Sequence, residues 1–256
     1  MKVVILCGGK GTRLREETEY KPKPMVEIGD RPILWHIMRL YSHYGFKDFI
    51  LCTGYKHQVI KEYFLNYRYM NSDITISLAS DQRIICHNCH EDDWTVTIAY
   101  TGEETKKGGR LKMIERYLDD GPFMVTYGDG VSDVNISELI ACHKEKDVLA
   151  TFTGVHPISR FATVKRDQNG RIIDWHEKKP LEEYINAGFF VLERAVLDYI
   201  EKDVELEEEP MKRIAQEGKL NMYEHNGFWH CMDTYRDYLL LSQLWAGGRA
   251  PWKVWT

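Results

Sequence analysis

The apolar run Val3–Cys7 stops abruptly on glycines, the pattern of a short strand buried on both faces. It empties directly into Gly8-Gly9-Lys10-Gly11-Thr12-Arg13, and Lys21-Pro22-Lys23-Pro24 follows soon after. A central strand feeding a glycine-rich turn points to an open α/β sheet, whose ligands lie beyond the strand ends. Glycines let backbone amides approach a phosphate where a side chain would block the way or forbid the dihedrals. Arg13 adds a permanent positive charge, and Lys23 adds a second on a backbone stiffened by flanking prolines. Neither of the better-known glycine motifs fits this register: the dinucleotide fingerprint would need a glycine at Leu14, and the P-loop spacing of Gly, Lys and Ser or Thr is absent. A solvated glycine turn is the competing reading of Gly8-Gly9 alone. The turn and both cations together suit a triphosphate.

The following residues alternate between helix and strand patterns. Pro32 opens a helix with Ile33, Leu34, Ile37, Met38 and Tyr41 on one face and Gly45 at its close. Buried strands are expected at 49–52 and 123–127, helices near 59–64 and 111–118, and half-exposed strands at 74–78 and 96–100. From 148 onward strand patterns crowd together, at 149–153, 161–164, 171–176 and 188–192, so the sheet should be mixed there. Short helices are expected at 194–200 and 209–216, then a strand at 220–225 and a closing helix at 235–245. These elements predict an α/β fold with a Rossmann-like mixed, mostly parallel sheet flanked by helices. No repeat or linker divides the chain, so one domain over 1–256 is expected.

Composition narrows the function. The net charge is -5, with 34 basic and 39 acidic residues spread along the chain, so no broad positive field exists for nucleic acid. No apolar run approaches the roughly 18 residues that span a bilayer, and Met1 leads into a strand with no cleavage site behind it. A cytoplasmic protein without a membrane partner is expected. Six scattered cysteines suit reduced thiols better than a disulfide framework. Cys86-His87-Asn88-Cys89-His90 matches a haem-attachment pattern or half a zinc site. With no export route and no second zinc knuckle, a polar loop is expected there.

Gly-Gly-x-Gly-Thr-Arg-Leu from Gly8, with Lys21-Pro-Lys-Pro-Met25 downstream, resembles the signature of the sugar nucleotidyltransferases. Thr126-Tyr-Gly-Asp-Gly-Val131, Gly188-Phe-Phe-Val-Leu192, Gly227-Phe-Trp229, Met232-Asp-Thr234 and Ala250-Pro-Trp-Lys253 extend the resemblance over nearly the full length, toward the cytidylyltransferases of that family. It implies the nucleotide-diphospho-sugar transferase fold, with nucleotide binding in about 1–130 and sugar-phosphate binding in about 131–256. The implied reaction is Mg2+-dependent transfer of a cytidylyl group from CTP to α-D-glucose 1-phosphate, giving CDP-glucose and pyrophosphate. A homo-oligomer is implied as well.

The resemblance also assigns residues. Asp129, between glycines past a buried strand, and Asp233, just before a helix start at Thr234, become the Mg2+ ligands. Without it, Asp129 reads as a turn residue and Asp233 as a helix cap. Arg13, Lys23 and Asp129 carry catalysis, and Gly8, Gly9, Gly11, Thr12, Arg13, Lys23, Thr105 and Arg110 bind the nucleotide. Tyr127, Glu177, Lys178 and Asn186 meet the sugar phosphate. Three of these keep a second reading: Arg110 on the exposed face of a helix begun by Gly108-Gly109, Lys178 as a solvated lysine, and Asn186 as a turn residue. Ala162, the Lys178-Lys179-Pro180 stretch and His230-Cys231 depart from the family pattern, so a different phosphorylated acceptor stays open, as do UTP or dTTP in place of CTP. A non-catalytic nucleotide-sugar-binding module is the rival of another class; it would be expected to lose Arg13, Lys23 or an aspartate, and all are present. Trp252 and Trp255 are read either as interface anchors or as a tail packed on its own core.

Overall fold

The computed structural model describes residues 1–79, 83–88, 93–159, 161–177 and 179–255. Seven strands form one sheet: β1 (Val3–Cys7), β2 (Asp48–Thr53), β3 (Thr95–Tyr100), β4 (Phe123–Tyr127), β5 (Ala150–Val155), β6 (Ile185–Leu192) and β7 (Leu220–Glu224). Their order is β7-β5-β6-β4-β1-β2-β3. β1 runs parallel to both β2 and β4, β2 parallel to β3, and β5 parallel to β7. Only β6 runs against its neighbours β4 and β5, which makes the sheet mixed and mostly parallel, as expected.

Apolar residues on both faces of β1 make it central. Val3, Ile5 and Cys7 join a core with helix α1 (Ile33–His43), while Val4 points into a second core with α3 (Lys107–Met113). Helix α2 (His57–Leu65) and α4 (Ile136–Lys144) pack on the first face, and α5 (Glu209–Gln216) on the second. The final helix α6 (Tyr235–Ala246) returns to the first face through Leu241.

Several expectations change. The 74–78 strand is Asp73–Ile76, which pairs with Ile84–His87 in an exposed hairpin outside the main sheet; β3 takes the place beside β2. Local alternation marks a strand without choosing its partner. Helix α4, not foreseen, is capped by Asn135, whose side chain accepts from the Glu138 amide, and buries Ile136, Leu139, Ile140 and His143. The 194–200 segment is a 3-10 helix, Arg194–Tyr199.

The tail packs on its own core, so the interface-anchor reading of Trp252 and Trp255 is overturned: both are buried. Trp252 Nε1 donates to His36 Nδ1 at 3.3 Å, while His36 Nε2 faces the Ile28 carbonyl at 3.0 Å. These partners place the His36 proton on Nε2. Burial pushes the His36 pKa down to about 4, outweighing the opposing pull of the Ile28 carbonyl.

Candidate active site

Because β1 and β4 are parallel neighbours, their C-terminal ends open onto one edge of the sheet, where the glycine turn after Cys7 meets Gly128 and Asp129. The Gly128 amide donates to Leu6 O at 3.1 Å and fixes this junction. Asp233 arrives from a distant segment. The short strand Trp229–Cys231 pairs antiparallel with Gly130–Ser132, placing Cys231 opposite Gly130, and the Met232 amide donates to Asp129 O at 2.8 Å. The cap reading of Asp233 is corrected here. Thr234 is the N-cap of α6 and forms a capping box with Asp237, which leaves the Asp233 side chain to the site.

Lys23 joins the two aspartates. Its buried ammonium lies 2.7 Å from Asp129 Oδ2 and 2.9 Å from Asp233 Oδ1, and Arg13, with its side chain 76% exposed, donates to Asp233 Oδ2. Burial works against the Lys23 charge, but Asp129, Cys231 and Asp233 more than offset it and raise its pKa. Burial alone would raise the Asp233 pKa; Lys23 and Arg13 outweigh it and hold the carboxyl below its ordinary value. Burial, then the charge of Asp129, pushes the Cys231 thiol well up.

Above this triad lies a cavity of about 560 Å³ whose wall includes Gly8, Gly9, Gly11, Thr12, Arg13, Lys23, Thr105, Arg110, Tyr127, Asp129 and Asp233. Eleven residues picked from distant parts of the sequence therefore share one space. Gly11 needs its freedom, with φ at +63° and Lys23 Cβ 3.1 Å from where a methyl would stand. A methyl on Gly8 would run into the Arg110 guanidinium.

Arg110 corrects one of its two readings: it is 4% exposed and does not lie on an open helix face. Its Nη1 donates to Thr101 Oγ1 and to Gly102 O, both at 2.7 Å, and to Thr53 O at 3.3 Å, while Nη2 reaches Gly8 O at 3.3 Å and Glu103 O at 3.2 Å. One guanidinium thus ties the glycine turn to the ends of β2 and β3.

The sugar-phosphate residues diverge. The Tyr127 hydroxyl donates to Glu207 and accepts from Asn186 Nδ2 at 3.0 Å, and Lys107 Nζ sits 5.0 Å from the Tyr127 ring centre. Burial, then Glu207, drives the Tyr127 pKa up. Asn186 stands within β6 and accepts from the Gly188 amide at 2.8 Å, so the turn reading fails for it. Glu177 is exposed beyond the strand Ile172–His176 and is not part of the cavity wall. Lys178 lies outside the described residues, as do Cys89 and His90; Cys86 and His87 end the exposed hairpin. Sequence reading missed Lys107, Glu205 and Cys231 at this site. For Cys231 a signal existed in its place two residues before Asp233.

Among the described residues, one group of His, Cys, Asp or Glu has metal-ligand spacing: Asp129, Cys231 and Asp233, with one donor atom from each all within 4.8 Å of one another. Two carboxylates already sharing an ammonium fit a hard divalent cation, which takes oxygen donors and leaves positions for phosphate oxygens.

An open sheet edge that sets a glycine turn against a cation-bridged pair of aspartates is equipped to handle a nucleoside polyphosphate. The nucleotidyl transferase family matches residues 2–237, and the chain belongs to that family. It is 50% identical to the glucose-1-phosphate cytidylyltransferase of Salmonella typhi over 258 aligned positions, covering 100% of both chains. It is 42% identical to a probable glucose-1-phosphate cytidylyltransferase of Bacillus subtilis, again over 100% of each. In fold it is similar to HddC from Yersinia pseudotuberculosis, with TM-score 0.70, 21% identity, and coverage of 95% of this chain and 99% of that one.

Proposed function

We propose that the chain transfers a cytidylyl group from CTP to α-D-glucose 1-phosphate, releasing pyrophosphate and forming CDP-glucose. The observation that carries the chemistry is Lys23 bridging Asp129 and Asp233 beneath the glycine turn. The choice of substrates rests on the full-length likeness to the Salmonella typhi enzyme.

A phosphate monoester has its second pKa near about 6, so the attacking oxygen of the sugar phosphate is charged at neutral pH and needs no general base. Repulsion between anions is then the main barrier. The amides of the glycine turn receive the triphosphate, and Arg13 and Lys23 neutralise it and the charge that grows on departing pyrophosphate. Asp129 and Asp233 would hold a divalent cation, Mg2+ in this reading, which when bound would supply neutralisation of the polyphosphate charge. Thr105 approaches the nucleotide, and Arg110 acts on it by fixing the turn. Tyr127 and Asn186, with Glu177 and Lys178, orient the sugar phosphate. Residues 1–130 thus serve mainly the nucleotide and 131–256 mainly the acceptor, within one domain.

The same reading sets the protein in the cytoplasm, supported by five described cysteines that are all free. It also includes a homo-oligomer, supported by exposed Val164, Ile173 and Trp175 on the hairpin at 163–176. No helix among the described residues is long and apolar enough to cross a membrane. Pyrophosphate release with Mg2+, measured for CTP, UTP and dTTP against a panel of sugar phosphates, tests the substrates. CTP with glucose 1-phosphate should be the best pair; equal rates with any other pair would refute the assignment.

A further inference from the structure

Cys231 gives the aspartate pair a donor of different chemistry. Pairing with Gly130 brings its sulfur beside Asp129, two residues before Asp233, so that one atom from each side chain falls within a 4.8 Å group. The thiol is free and half-buried, and the neighbouring His230 ring is engaged with Asp237 at 3.1 Å. A positive charge already sits among these donors: the Lys23 ammonium, 2.7 Å and 2.9 Å from the two carboxylates. Lysine carries that charge on a flexible stem and is the partner able to withdraw. We propose that Asp129, Cys231 and Asp233 form a mixed carboxylate–thiol centre that captures a soft divalent cation such as Zn2+ in place of the Lys23 ammonium.

Two carboxylates alone favour Mg2+ and other hard cations, whereas a thiolate favours zinc, cadmium or cobalt. Three protein ligands with a fourth position open is the arrangement zinc accepts outside closed structural sites. On ligation Cys231 gives its proton to solvent and sulfur bonds the metal, with no change of oxidation state. Zinc held this way competes with Mg2+ for the same two aspartates, so the centre makes the enzyme sensitive to soft metals. The inference rests on the metal-binding role proposed for Asp129 and Asp233.

Titration of the nucleotide-free protein with Co2+ tests it by absorption. A near-ultraviolet thiolate-to-cobalt band should appear in the unmodified chain and vanish in Cys231→Ser, which still binds Co2+ through its carboxylates. In a chelator competition, Zn2+ affinity should fall roughly tenfold or more in Cys231→Ser. Independently of any variant, Zn2+ should shield Cys231 from iodoacetamide, read on its own peptide by mass spectrometry, whereas Mg2+ should not. Identical cobalt spectra for both proteins, or labelling indifferent to Zn2+, would overturn the thiol ligand and leave the aspartate reading standing. Absence of Co2+ binding to either nucleotide-free protein would overturn the mixed centre, while the CTP-dependent role of the aspartates is read separately.

Discussion

The rim formed by the glycine turn, Lys23, Asp129 and Asp233 and the arm at residues 163–177 are built on opposite terms. In the rim the charged groups are partnered before any ligand arrives, with Lys23 between two carboxylates and Arg110 spending its donors on loop oxygens. In the arm, the strands Thr163–Arg166 and Ile172–His176 form a two-stranded hairpin apart from the main sheet. Val164 and Trp175 are cross-strand partners there, and both are exposed. The difference separates two tasks. In the proposed reading, handling a triphosphate calls for preorganised charge, whereas the hairpin would serve the acceptor and leaves its apolar side chains open.

The comparison can be broken most severely at the rim. Asp129→Asn or Asp233→Asn should lower kcat by about 10²–10³-fold or more with far-UV circular dichroism unchanged. Near-normal turnover in both would remove their metal role. Arg110→Leu strips partners from several buried oxygens and should cost about 3 kcal/mol of stability, lowering Tm by roughly 6–12 °C. A variant with normal Tm but altered triphosphate preference would instead make Arg110 a reader of the base. The tail supplies a pH test. His36 is held neutral with its pKa down at about 4, so the unfolded chain binds a proton first as the solution is acidified. Stability is full above the unfolded value of about 6.5 and declines from there down through about 4, by up to about 3 kcal/mol, which urea unfolding at several pH values would record. In the arm, Glu177→Ala should raise KM for glucose 1-phosphate by about 2–10-fold and leave KM for CTP and Tm alone. If both KM values move together, rim and arm are not separable.

The rim was legible in the sequence because its chemistry is local: a strand that ends on glycines, and a lysine fixed between prolines. The two aspartates became a pair through resemblance, and their meeting depends on the antiparallel pairing of Gly130–Ser132 with Trp229–Cys231, which periodicity does not reveal. Helix α4 was hidden by its short apolar face, on which the buried His143 follows Ile136, Leu139 and Ile140 as a polar residue. The sequence left Arg110 with two readings because helical spacing gives the direction of a side chain and says nothing of carbonyls waiting at the ends of β2 and β3. The strand at residues 73–76 was recognised, but its pairing with Ile84–His87 was not read, since alternation sets a face and not a partner.

The central claim, that Asp129 and Asp233 hold the cation for a triphosphate bound at the glycine turn, is tested most directly by calorimetric titration of CTP with and without Mg2+. The unmodified protein should bind CTP much more tightly with Mg2+, and the Asp129→Asn, Asp233→Asn double variant should lose that gain. Undiminished Mg2+ enhancement in the double variant would contradict the account.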